Sequence, residues 1–407
     1  MKKHILLALA FAAFATLCGQ TASAQLPGNL KIPKVGKPKP APTPAAAAQP
    51  APSNETPPAA AQPQTVAPAP QAGPGETRLI KTRIKFWPQT LTSYKGEYND
   101  VWSWIPTVEF STEGPGLPSG ANYYVEVAQP GGAPWVKIKC DSNALGTGYE
   151  CDERGADDRS ALEKEGTLAT GVFPFAVKMR NPLEGTEKTL FTGRAKVEKT
   201  LSSEVGPTSA RKFVYYTNQD WNLPIGQVYI GNDGRLAVRF WVRGESAGET
   251  EAHLFYKGEE VGLFQSNGYQ YGASRCSPDM EYQPSRDAGA AAPQRAKWAR
   301  MNCPFLTVAV KPNADAPEWH TLGTNPGEYE VRVLRNKRLA RVLKFGFGSD
   351  GRLVDNHIAS GNGMAWDNFI FVPVQVLGDS DGTWDRNAWR ADAFYGNPLV
   401  GFNGPPQ

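Results

Sequence analysis

The chain has 407 residues and a formal net charge of +3, with 43 Lys and Arg, 40 Asp and Glu, 35 Pro and 41 Gly. Lys2, Lys3, Lys31, Lys34, Lys37 and Lys39 lie near the start against only Glu55 and Glu76, so the rest of the chain is close to neutral. That excludes the strongly basic domain of a nucleic-acid binder, and the Pro and Gly content points to many turns and some extended chain.

Residues 1–24 read as a signal peptide. Met1-Lys2-Lys3-His4 is a basic n-region, Ile5 to Leu17 an apolar core, and Ala22-Ser23-Ala24 before Gln25 a small-x-small cleavage site. A lipid-anchor site at Cys18 is the weaker reading, because Leu17 before it is large. The apolar core is short of the ~20 residues that span a bilayer. No later segment is a spanning candidate, since Phe369 to Leu377 is brief and contains Pro373 and Gln375. The expected location is the periplasm or the medium, with no transmembrane span after cleavage.

Residues 25–76 form the next segment. Between 26 and 76 stand 14 Pro and 12 Ala with no aromatic residue, a composition that cannot bury enough apolar area to order itself. It is read as a disordered stalk, reaching roughly 150 Å if fully extended at ~3.1 Å per residue. Lys31 to Lys39 gives that stalk a cationic stretch able to touch an anionic envelope polymer.

After Thr77 the period changes to two, as in half-buried strands. Tyr123, Val125 and Val127 alternate with Tyr124 and Glu126; Val136, Ile138 and Cys140 with Lys137 and Lys139; Val238, Phe240 and Val242 with Arg239, Trp241 and Arg243. Turn signals divide them at Pro130-Gly131-Gly132, Asn232-Asp233-Gly234 and Ser349-Asp350-Gly351. Only the Ala-rich insert Asp287 to Arg300 hints at a helix. The fold class is therefore all-β, with β-sandwiches of immunoglobulin-like character.

Two stretches look copied. Thr167-Leu168-Ala169-Thr170 precedes Phe175-Ala176-Val177-Lys178-Met179, and Thr321-Leu322-Gly323-Thr324 precedes Tyr329-Glu330-Val331-Arg332-Val333, at one offset of 154. A tandem duplication follows: a first sandwich at 77–201, a linker at 202–211 and a larger second sandwich at 212–407. Apart from Cys18 the cysteines are Cys140, Cys151, Cys276 and Cys303. Four allow three pairings; proximity favours 140–151 and 276–303, and export would keep both oxidised.

Chemistry is sparse. Gly244-Glu245-Ser246-Ala247-Gly248 matches the nucleophile elbow of serine hydrolases, but Glu249 to Tyr256 continues as a strand rather than the required helix. His253, His320 and His357 show no metal-pair spacing, and no Gly-rich loop opens a helix, so no cofactor is implied. Asp379, Asp381 and Asp385 around Gly382 resemble the start of a calcium loop, without its distal Glu. Arg332, Arg335, Lys337, Arg338, Arg341 and Lys344 surround the turn at Asn336 and are placed on outward faces, where an anionic polymer could dock. Lys and Arg also protect an edge strand from pairing. Trp366, Trp384 and Trp389 lie among Asp, Asn and Arg, a composition suited to sugar rings.

The sequence thus describes an exported, non-catalytic envelope protein, binding or structural. Its partner would be an envelope polymer, a glycan or another envelope protein, and not nucleic acid. A carbohydrate-binding module is one alternative; a serine hydrolase using Ser246 is the other.

Overall fold

The computed structural model describes residues 76–91, 102–142, 148–152, 166–201, 213–244, 249–261, 273–282, 298–312, 319–364 and 366–406. The expected signal peptide, the stalk up to residue 75, the linker at 202–211, Ser246 and residues 287–297 of the insert lie outside them.

Ten strands come from the first half: β1 (Arg78–Leu79), β2 (Lys85–Leu91), β3 (Ser103–Phe110), β4 (Thr112–Glu113), β5 (Asn122–Ala128), β6 (Pro134–Ser142), β7 (Tyr149–Cys151), β8 (Gly171–Asn181), β9 (Thr186–Leu201) and β10 (Phe213–Thr217). Eleven follow: β11 (Ile225–Ile230), β12 (Arg235–Arg243), β13 (Thr250–Tyr256), β14 (Glu259–Glu260), β15 (Ala273–Arg275), β16 (Ser277–Tyr282), β17 (Trp298–Ala309), β18 (His320–Thr321), β19 (Gly327–Arg335), β20 (Arg338–Phe347) and β21 (Phe369–Val376). The described residues are nearly all β, and no helix among them is long and apolar enough to cross a membrane.

Two large sheets result. One runs β10-β9-β8-β5-β6-β7-β3-β2; the other runs β14-β13-β19-β20-β21-β11-β12-β17-β16, with β15 beside β13 and β18 beside β17. Each is sandwich-like, folding over a core supplied by its alternating side chains. Phe86, Trp104, Val125, Ile138, Phe173 and Val177 fill the first core. Val238, Phe240, Val331, Leu343, Val372 and Phe347 fill the second. The alternation read from sequence is the one observed, because a strand sends successive side chains to opposite faces. The three expected turns also form: Gln129 N–H bonds to Ala133, Gly231 to Arg235 and Gly348 to Arg352.

Both expected disulfides are present, Cys140–Cys151 and Cys276–Cys303. Neighbouring strands bring each pair together: β6 lies beside β7 through Asp141 and Glu150, and Ser277 of β16 lies opposite Asn302 of β17. Two expectations need correction. The end of the Ala-rich insert is strand, not helix: Trp298, fully buried, opens β17. The expected boundary also moves, since β10 follows the linker yet pairs with β9, Phe213 opposite Leu201, so the first sheet takes a strand from the second segment.

The halves are joined by the C-terminal segment. All described residues belong to one compact unit, Thr65–Gln407. Tyr395 enters the first core, its ring edge-on to Phe175 at 5.7 Å. Its hydroxyl accepts the Phe86 backbone N–H at 2.9 Å and the Gln219 carboxamide N–H at 3.4 Å. Phe394 packs instead among Trp221, Ile225 and Phe371 of the second half. The segment is fastened on either side: Arg194 donates to the Ala391 carbonyl (2.9 Å) and Asn397 to the Thr192 carbonyl (3.1 Å). Gly193 permits the approach, because a Cβ there would lie 3.0 Å from the Tyr395 carbonyl oxygen and 2.6 Å from Phe191.

This attachment predicts that Tyr395→Ala destabilises the fold by about 3–5 kcal/mol, as for other buried aromatic truncations. Tyr395→Phe, which leaves the Phe86 N–H without its acceptor, should cost about 1–3 kcal/mol. Urea denaturation measures both; a loss under ~1 kcal/mol for Tyr395→Ala would show that the segment merely lies on the surface.

Candidate functional site

Where the C-terminal segment meets both halves, a small cleft with about 30 Å³ of free space lies between them. The single-turn helix Lys81–Arg83 forms one lip. Trp221 and Phe394 line it from the third apolar cluster, Trp241 from β12 and Tyr282 from β16. Gln227 of β11 and Asn222 bring carboxamides, and Arg300 of β17 brings a guanidinium. These positions follow from register: Gln227 stands opposite Arg239, Arg239 opposite Asn302, and Trp241 opposite Arg300, on the face of the sheet turned away from the second core.

The electrostatics are lopsided. Asp279 accepts both nitrogens of an Arg300 fork, at 2.8 and 3.0 Å, and forms an ion pair with Arg239, whose Nε stands 2.8 Å away. One carboxylate therefore serves two guanidinium groups. Lys81 has no carboxylate partner among the described residues, and burial lowers its pKa. Neither an Asp nor a Glu lines the cleft. The Tyr282 and Tyr395 hydroxyls, 3.5 Å apart, are pushed up by burial and stay neutral.

The basic hairpin is only partly outward. Lys337, Arg338 and Lys344 are exposed, while Arg332 lies over the Phe255 ring at 4.0 Å and pairs with Glu330 at 2.6 Å. Arg335 and Arg341 are interior, which corrects their expected outward placement. The loop carrying Asp381 folds back over them. Arg341 gives Nη2–H to Asp381 Oδ1 (2.7 Å) and to the Trp241 carbonyl (3.0 Å), and Arg335 stands 3.6 Å from the same carboxylate. Burial alone would raise the Asp381 pKa; the charge and hydrogen bond of Arg341, the Arg243 N–H and the Arg335 charge hold it below the usual carboxylate range.

That network also accounts for the calcium candidates. Asp381 faces guanidinium groups, Asp385 accepts the Asn387 N–H (2.9 Å), and the Asp379 carbonyl closes the turn to Gly382. They do not converge, and no group of three potential metal ligands occurs among the described residues. The tryptophans are dispersed. Trp384 packs beside Leu223 and Tyr282, Trp389 against Phe402, and Trp366 is 52% exposed, stacked on Phe369 at 4.0 Å. His253 lies between Glu251 and Glu260, His320 contacts the Tyr329 hydroxyl, and burial lowers the His320 pKa.

Sequence reasoning missed Lys81, Gln227 and Arg300. The available signal was Trp241, a large aromatic at an outward position of β12, which announces that something covers that face. No protein-family model, curated protein or solved structure matches the chain.

The buried charges generate a direct test. Asp381→Ala strands two interior guanidinium groups and should cost about 3–5 kcal/mol. Because the folded carboxyl is depressed, its contribution is complete above the unfolded pKa near ~4 and disappears as pH falls through the lower folded value. Urea denaturation from pH 7 to pH 2 should show wild type and Asp381→Ala converging at the acid end; a constant gap would contradict the ion-pair account.

Proposed function

We propose that the chain is an exported, non-catalytic binding protein of the cell envelope, holding its ligand in the cleft where its two halves meet. The observation that carries this is the lining of the cleft: aromatic walls, carboxamides and two cations, groups that hold and orient a ligand. Two disulfides are compatible with a protein outside the cytoplasm. The Pro/Ala stalk then acts as spacer between the folded part and an anchor or neighbouring chain.

The halves are read as a duplicated pair of immunoglobulin-like sandwiches. Supporting this, β2-β3-β7 and β6-β5-β8-β9 recur in neighbour order as β11-β12-β17 and β14-β13-β19-β20. The second part of each copied stretch, Phe175 to Met179 and Tyr329 to Val333, falls on β8 and β19, each flanked by its hairpin partner on one side and by β5 or β13 on the other. Such neighbour sets are those of A-B-E and C′-C-F-G strands.

A carbohydrate-binding surface at Trp366 is the second reading, favoured by its exposed ring held flat on Phe369. Co-sedimentation of the exported protein with insoluble cell-wall glycan separates the two. Gln227→Trp, which fills the cleft, should reduce retention by about tenfold or more, roughly 1.4 kcal/mol, and Trp366→Ala should leave it unchanged. Retention lost with Trp366→Ala and kept with Gln227→Trp would move the site to the tryptophan.

A further inference from the structure

We infer that Asn403 is a site of spontaneous modification by water: the Asn403-Gly404 pair deamidates through a cyclic imide, and its isoaspartyl product releases Phe402 from Trp389. In the first step the Gly404 amide nitrogen attacks the side-chain carbonyl carbon of Asn403 and gives up its proton. The bond from that carbon to the carboxamide nitrogen breaks, and ammonia leaves. Water then opens the ring at either carbonyl, so the new linkage runs through the main chain (aspartate) or the side chain (isoaspartate). Nothing is oxidised or reduced. Three local conditions favour the attack: a following residue without a side chain, a carboxamide able to turn, and a backbone N–H not held by an acceptor.

Two Asn-Gly pairs lie among the described residues, and the fold treats them oppositely; Asn267-Gly268 lies outside them. The Asn362 carboxamide is fixed by three hydrogen bonds. It donates to the Ile358 carbonyl (2.7 Å) and the Val400 carbonyl (2.9 Å), and it accepts the Val400 N–H (3.0 Å). Gly363 N–H, the attacking group there, is given to the Ser360 carbonyl at 3.1 Å. Asn403 is exposed, and neither its carboxamide nor the Gly404 N–H has a hydrogen-bond partner among the described residues.

Packing also keeps the reactive pair in place. Gly404 has φ of +100°, and a Cβ on it would lie 2.6 Å from the Trp389 ring. Phe402 meets the same ring edge-on at 5.2 Å. One indole therefore holds the residues on both sides of Asn403, while Asn403 itself stands in water. An isoaspartyl linkage lengthens the main chain by one atom between those two contacts, so both cannot be kept. The aspartyl product adds only a charge at an exposed position.

Peptide mapping by mass spectrometry of the exported full chain, aged at neutral and at mildly alkaline pH, tests this. A protease that cuts before aspartate but not before isoaspartate tells the products apart. Each hydrogen bond holding Asn362 slows it by roughly a factor of five. Asn403 should therefore convert about a hundredfold faster than Asn362, and faster still at the higher pH. Asn403→Gln, which would need a larger imide ring, should stop the conversion and leave the fold unchanged by near-ultraviolet circular dichroism. Amide hydrogen exchange at Phe402 should rise in the isoaspartyl fraction and stay at its original value in Asn403→Asp. Equal rates at the two sites, or Asn403 intact after Asn362 has converted, overturns the inference. So does an isoaspartyl fraction in which Phe402 exchanges as slowly as before.

Discussion

Phe394, Tyr395 and Gly396 follow one another with φ of 47°, 59° and 83°, and the relation between the two halves depends on that left-handed turn. For residues with a Cβ this region costs roughly 1–2 kcal/mol each. Consecutive residues in a strand or right-handed helix would point differently; here one ring enters the second half's cluster and the next enters the first half's core. Each aromatic side chain buries ~150–250 Å², worth roughly 4–6 kcal/mol at ~25 cal/mol/Å². Burial therefore outweighs the backbone strain. Gly396 completes the turn where a Cβ would come within 2.7 Å of Arg194.

A second constraint works beside it. The loop that delivers Asp381 to Arg335 and Arg341 belongs to the same C-terminal stretch, and Asp385 N–H reaches Asp220 Oδ2 at 2.9 Å. Trp298 donates to the other Asp220 oxygen at 3.0 Å, and Arg243 stands 3.4 Å from it. Buried charges that are mutually paired fix geometry more than they add stability. Here they set β12, β17 and the C-terminal loop against one another, and that arrangement shapes the cleft wall at Trp241 and Arg300.

What the sequence revealed, it revealed through local rules. Period-two alternation placed Val125, Ile138, Val238 and Phe240 in cores; Gly and Asp marked the turns; the spacing of four cysteines gave the two bridges. The failures share one cause. Arg341 reads as an exposed strand cation until Asp381, far along the chain, is folded onto it. Phe213–Thr217 reads as the start of a new domain until it pairs with β9. Trp298 reads as the end of an Ala-rich insert until β12 lies beside it. In each case a distant segment decides the environment, and neither propensity nor spacing carries that information. The cleft is the extreme example, since Lys81, Gln227, Arg300 and Phe394 come from four separate parts of the chain. Local chemistry could flag Trp241 as covered but could not say by what.

The central claim is that the C-terminal turn makes one cooperative structure of the two sandwich-like sheets. Differential scanning calorimetry of a chain ending at Asp392, compared with the full chain, tests it most directly. The account predicts one transition for the full chain, with calorimetric and van't Hoff enthalpies in agreement, and two separated transitions for the shortened one. A single transition of unchanged midpoint and enthalpy after removal of Ala393 to Gln407 would contradict it.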